Sequence, residues 1–93
     1  MKVIYKYELR MTARQRLILP GGSQILSVCE QHNKVVLYAR VERNAVHDDK
    51  YSVLLQYTGD CAEYTVDHTF IGTVLLNEGA LVLHIFAQLI PDK

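Results

Sequence analysis

Residues 70–90 read FIGTVLLNEGALVLHIFAQLI, two apolar runs hinged at Asn77-Glu78-Gly79. Few folds can use such a segment. The hinge holds the residues a tight hairpin needs, with Gly79 able to take the positive φ that closes a short loop. Glu78 breaks the run before it reaches the ~18 apolar residues that would span a bilayer. Each arm carries apolar side chains at odd and even positions alike, so neither reads as a strand with one dry and one wet face. Something must cover the second face. It is either another layer of this chain or another molecule.

Elsewhere the pattern has period two, the signature of strands half-buried in a sheet. Val3, Tyr5, Tyr7 and Leu9 share one face of the first run, with Lys6, Glu8 and Arg10 on the other. Arg14–Leu19 sets Leu17 and Leu19 against Arg14 and Arg16, and Pro20-Gly21-Gly22 ends it. Residues 25–31 and 34–42 form a hairpin about His32-Asn33, since asparagine tolerates the left-handed turn conformation. On its second arm Val35, Leu37, Ala39 and Val41 face one way, and Val36, Tyr38, Arg40 and Glu42 the other. Residues 43–49 read as a polar loop and 51–57 as a strand with Tyr51, Val53, Leu55 and Tyr57 inward. Residues 61–69 are either a short strand about Tyr64–Val66 or an irregular crossover. About seven strands with regularly spaced turns in 93 residues predict one all-β domain, an antiparallel sandwich or a small, partly open barrel.

Net charge is zero but unevenly distributed. Residues 1–43 hold eight basic side chains against three acidic ones, and residues 44–93 two against seven. Segregated halves would give a basic and an acidic face, whereas strands interleaved in common sheets would mix the charges. The neutral balance argues against a dedicated nucleic-acid binder, although Arg10, Arg14 and Arg16 beside Tyr5 and Tyr7 resemble the cation-and-aromatic platforms of single-strand binders. The N-terminus has no continuous apolar segment of the secretory kind. Cys29 and Cys61 lack metal-ligand spacing and read as free thiols, with a single disulfide as the other option.

Motifs with chemical content are sparse. His47-Asp48-Asp49 and Asp67-His68 each join imidazole to carboxylate, but no His-x-His, Cys-x-x-Cys or His-Glu-x-x-His pattern accompanies them, so no metal or cofactor is expected. Ser23 and Ser27 lack a nucleophile-elbow setting, and Cys29 sits in a strand. Partners of a nucleophile meet in space rather than in sequence, but nothing in the pattern marks an enzyme. Pro20-Gly21-Gly22-Ser23 leads into a strand, not the helix that a phosphate loop requires. His84, inside LVLHIF, reads as a core or interface residue or a ligand contact. Tyr38 and Arg40, on one strand face, make the best exposed recognition patch.

Three stretches carry a family resemblance: Ile4-Tyr5-Lys6-Tyr7-Glu8-Leu9, Leu17-Ile18-Leu19-Pro20-Gly21-Gly22 with Ile25-Leu26-Ser27-Val28, and Phe70-Ile71-Gly72-Thr73-Val74 with Gly79–Phe86. They resemble small phage and prophage proteins of unassigned function. The resemblance implies a phage-derived product in a bacterial host cytoplasm and supplies no catalytic residues. Gly72, inside a strand, signals a bulge or a close backbone approach.

The expectation is therefore a non-catalytic accessory protein that self-associates, a dimer being favoured, and binds or inhibits a host protein, with no membrane and no cofactor. The contact is expected on residues 81–90, through Leu81, Leu83, Ile85, Phe86 and Leu89. A second reading is a nucleotide- or small-molecule-sequestering protein in which Arg14, Arg16, Tyr38, Arg40 and His84 hold the ligand. A third is a nucleic-acid-binding β domain.

Overall fold

The computed structural model describes residues 1–91. Seven strands follow in order: β1 (Lys2–Glu8), β2 (Arg14–Pro20), β3 (Gln24–Gln31), β4 (Lys34–Glu42), β5 (Asp48–Tyr57), β6 (Thr69–Leu76) and β7 (Leu81–Ile90). They form a three-stranded sheet, order β1-β4-β3, and a four-stranded sheet, order β2-β5-β7-β6. Every pairing is antiparallel. The two sheets pack face to face, so the sandwich is the form taken and not the barrel.

Period-two patterning decides which residues meet between the sheets. Val35, Leu37, Ala39 and Val41 of β4 face Val53 and Leu55 of β5 and Leu83, Ile85 and Ala87 of β7, with Leu19, Val74, Leu76 and Leu9 completing the core. Leu83 and Ile85, expected at a subunit contact, are 1% and 0% exposed and belong to this core. Leu81 also packs against it. The odd positions of β7 point inward, and the alternation sends the even ones outward. Tyr57, read as inward, is 44% exposed at the last position of β5, and Tyr5, on the same face of β1 as Val3, is 45% exposed on an edge strand.

Four strand edges result, and they are handled differently. β3 and β6 run alongside each other across the sandwich and cover one another. Their approach depends on Gly72: a Cβ there would lie 2.9 Å from Val28 Cγ2. The register also shifts between Phe70 and Gly72, so this glycine marks both a bulge and a close approach. The edges left open, β1 and β2, carry Lys2, Lys6 and Glu8, and Arg14, Arg16 and Pro20. Charge and proline on an open edge oppose pairing with further strands.

The two hairpin tips are joined. His32 and Asn33 both adopt positive φ (53° and 62°), the geometry of a two-residue turn whose twist suits the flanking strands. In the β6–β7 loop Asn77, Glu78 and Gly79 are all left-handed, not the glycine alone. Asn33 Nδ2 donates to Asn77 Oδ1 and Asn77 N to Asn33 Oδ1, each at 2.7 Å. This reciprocal pair ties one sheet to the other at that end. At the same end of the sandwich the buried Gln15 side chain accepts from Arg10 N through Oε1 and donates to Arg10 O through Nε2, which closes the bend after β1.

Residues 58–68 form the irregular crossover, with a single 3₁₀ turn at Glu63–Thr65 and no strand. The segment lies as a strap on the outer face of the four-stranded sheet. Beneath it Leu54 and Gln56, both outward on β5, are reduced to 1% and 5% exposure.

Candidate functional site

Register places the outward side chains of the four-stranded sheet in rows. Leu75 sits beside Val82, and Thr73 beside His84 and Gln56. The next row runs Phe70, Phe86, Leu54, Arg14. Gln88, Ser52 and Arg16 follow, then Ile90, Lys50 and Ile18. The β2–β5 side of this face is charged and roofed by the strap. The β6–β7 side carries no Asp, Glu, Lys or Arg. Phe70 and Leu75 there are 54% and 53% exposed, and the Phe70 and Phe86 rings meet edge to face with centroids 5.4 Å apart.

Four ties hold the strap, one every three or four residues. Thr58 Oγ1 lies 2.7 Å from His84 Nε2, and Gln56 Nε2 donates to Cys61 O at 2.6 Å. The Arg14 guanidinium stands 5.5 Å from the Tyr64 ring centroid, a cation–π contact. His68 then reaches down to Ser52, Nε2 to Oγ, at 2.9 Å. Its Nδ1 lies 2.8 Å from Asp67 Oδ1. A ring nitrogen facing a carboxylate carries the proton, so Nδ1–H donates to Asp67 and Nε2 accepts from the Ser52 hydroxyl. That hydrogen bond holds the Asp67 carboxyl below the usual carboxylate range.

The shift fixes the sign of an acid response. A carboxyl with a depressed folded pKa stabilises its fold above the unfolded value, ~3.9 for aspartate, and the contribution disappears as pH falls through the folded one. Strap amides, those of Thr65 and His68 among them, are thus expected to lose hydrogen-exchange protection below about pH 4 while β4 and β7 amides hold. Asp67→Asn should remove the strap-specific step. Strap and sheet losing protection together would contradict this account.

The five anticipated binding residues do not converge. Tyr38 and Arg40 lie on the outer face of the three-stranded sheet, where Arg40 Nη1 donates to Gln24 Oε1 at 2.7 Å. Arg14, Arg16 and His84 lie on the outer face of the other sheet, with the core between the two sets. A single pocket using all five cannot form. Arg14 is engaged by Tyr64, and both ring nitrogens of His84 meet hydroxyls, Thr58 at Nε2 and Thr73 at Nδ1 (2.9 Å). His84 is thus satisfied by its neighbours. Of the expected contact residues Leu83 and Ile85 are buried, Leu81 and Phe86 are half-buried with Phe86 on the outer face, and Leu89 is 44% exposed at the rim.

Charge is mixed rather than segregated. The strands of the three-stranded sheet hold Lys2, Lys6, Lys34 and Arg40 against Glu8, Glu30 and Glu42, and Lys34 pairs with Glu8 at 3.3 Å. Arg14 and Arg16 cross to the sheet whose strap carries Asp60, Glu63 and Asp67. Among the described residues no basic stripe for a polyanion results. Pro20-Gly21-Gly22-Ser23 is a turn whose N–H groups are used: Gly21 N donates to His47 O, Gly22 N to Asp49 Oδ2 and Ser23 N to Pro20 O. Cys29 and Cys61 are free thiols on opposite sides of the sandwich. Among the described residues no three His, Cys, Asp or Glu side chains converge as metal ligands, and no helix is long and apolar enough to cross a membrane.

Ser52 escaped the sequence reading. Its signal was present only in pieces: an outward serine on a strand otherwise rich in apolar residues, and an Asp67-His68 pair with no stated target.

An all-β sandwich with a strapped outer face is the class the geometry defines. The family model described as Domain of unknown function (DUF7352) matches residues 1–92, and the chain belongs to that family. No curated protein and no solved structure matches it.

Proposed function

We propose that the protein is a phage-type accessory factor of the bacterial cytoplasm that works by contact rather than turnover, through self-association and binding of a host protein. The resemblance of its two ends to small phage proteins supports the setting. One observation supports the contact surface: the uncharged outer face of β6 and β7, where Phe70 and Leu75 are more than half exposed beside Phe86 and Val82.

A second copy is the occupant that suits this face. Two strands of about eight residues present roughly 300 Å², which lies within the range of functional patches on monomers. A face without charge meets its own copy about a two-fold axis and buries no unpaired ion. The area is well short of the ~800 Å² per partner of a standard interface, so the dimer is weak and concentration-dependent. The outer face of the three-stranded sheet stays open in such a dimer. Ile4, Tyr38 and Arg40 there supply the aromatic and arginine character favoured at protein contacts.

Light scattering coupled to size exclusion, from about 10 µM to about 1 mM, is expected to show the mean mass rising from monomer toward dimer. Phe70→Glu should hold the protein monomeric with its fold intact. A wild-type mass fixed at the monomer over that range would overturn self-association.

A further inference from the structure

Ser52, His68 and Asp67 stand in the order of an acyl-transfer relay, and three observations make them more than a fastening. The nitrogens are the correct ones: His68 Nδ1 meets the carboxylate at 2.8 Å and Nε2 meets the serine Oγ at 2.9 Å. That tautomer leaves Nε2 free to take the Ser52 proton. His68 is shielded, its side chain 11% exposed, whereas Ser52, under the last residue of the strap, is half-buried. Finally, register flanks Ser52 on the same face with Arg16 of β2 and Gln88 of β7, both exposed and both hydrogen-bond donors. A guanidinium and a carboxamide on either side of a nucleophile can meet an oxyanion.

We propose that Ser52 is a reactive nucleophile that accepts an acyl group from activated carboxylic esters. Ser52 Oγ attacks the carbonyl carbon while its proton passes to His68 Nε2. The carbonyl oxygen takes the negative charge between Arg16 and Gln88. The C–O bond to the alcohol then breaks, the alcohol leaves with the proton from His68, and an ester remains on Ser52. Asp67 acts through His68 as a positioning residue. Ile18 and Ile90, in the adjoining row about Lys50, provide an apolar bed for a short acyl chain. The step transfers one acyl group onto the chain and needs no turnover, so it stands beside a binding role and does not depend on the β6–β7 face.

The oxyanion donors are side chains rather than fixed backbone amides, and Asp67 is 77% exposed. Reactivity should accordingly fall below that of a dedicated hydrolase, since each well-placed donor contributes about 10²–10³-fold. The test uses p-nitrophenyl acetate and a fluorophosphonate probe on the folded protein, read by intact mass and peptide mapping. One adduct per chain is expected, on Ser52, and none on Ser52→Ala or on urea-unfolded protein. His68→Gln can still hydrogen-bond Ser52 and hold the strap but cannot act as the base, so it should lose about 10²-fold or more in labelling rate while its circular dichroism stays native. Asp67→Asn should slow labelling and Asp67→Glu restore most of it. Labelling of His68→Gln at the wild-type rate, adducts elsewhere than Ser52, or no adduct beyond the unfolded control would each overturn the proposal.

Discussion

Gly72→Ala is expected to destabilise the protein by about 1–3 kcal/mol, although alanine would ordinarily help a strand. Two terms favour the substitution. Glycine's conformational freedom in the unfolded chain is worth about 0.4–1 kcal/mol when removed, and strand interiors disfavour glycine. Gly72 does not have the positive φ that would make alanine strained. Against these stands one contact: the new Cβ would lie 2.9 Å from Val28 Cγ2 across the β3–β6 seam. Valine is stiff about χ1, so the methyl cannot swing aside, and the seam itself must open. The clash wins because β3 and β6 cover each other's edges there and have no other layer to lean on. For a domain of this size the cost corresponds to a fall in Tm of roughly 5–20 °C. Val28→Ala removes the opposing methyl, so the double variant should be at least ~1 kcal/mol more stable than the two single effects added together. Additive effects, or a Gly72→Ala protein as stable as wild type, would refute this reading of the seam.

Gly72 also shows what was legible in the sequence and why. A glycine inside an apolar strand announces a bulge or a close approach without naming the partner, because Val28 is brought there only by the pairing of whole sheets. The strands themselves were readable, since period two and turn residues are local. Val35, Leu37, Ala39 and Val41 were assigned to one face by alternation, and that face is the core. The His32-Asn33 turn followed from asparagine's tolerance of left-handed backbone. The strap was not readable, because its ties (His84 to Thr58, Arg14 to Tyr64, His68 to Ser52) join residues 16 to 50 positions apart. The candidate site suffered for the same reason. Arg14, Arg16, Tyr38, Arg40 and His84 were grouped by residue type, and sheet topology divides them between opposite faces of the sandwich.

Residues 81–90 divide by parity, and neighbouring substitutions test the division. Apolar side chains at both parities of β7 suggested that the whole arm met a partner. The sandwich assigns the parities to different tasks, odd positions to the core and even ones to the outer face. Ile85 is fully buried among Leu37, Val53, Leu83 and others. Ile85→Ala should therefore cost about 2–5 kcal/mol through lost transfer energy and a residual cavity. That is a large share of the roughly 5–14 kcal/mol a chain of this length has in total. Phe86, one residue on, is half-buried and packs edge-on against Phe70. Phe86→Ala gives up that pairing, worth about 0.5–1.5 kcal/mol, and part of its buried area, but leaves the core intact. The two variants should separate cleanly. Urea unfolding should find Ile85→Ala close to the limit of stability, with whatever remains folded still self-associating. Phe86→Ala should stay folded with its association lost. Equal losses of stability would mean that both faces of β7 are core, and dimerisation surviving Phe86→Ala would move the contact away from the β6–β7 face. The apolar double face of this strand is thus resolved into two energies, one measured by denaturant and the other by dilution.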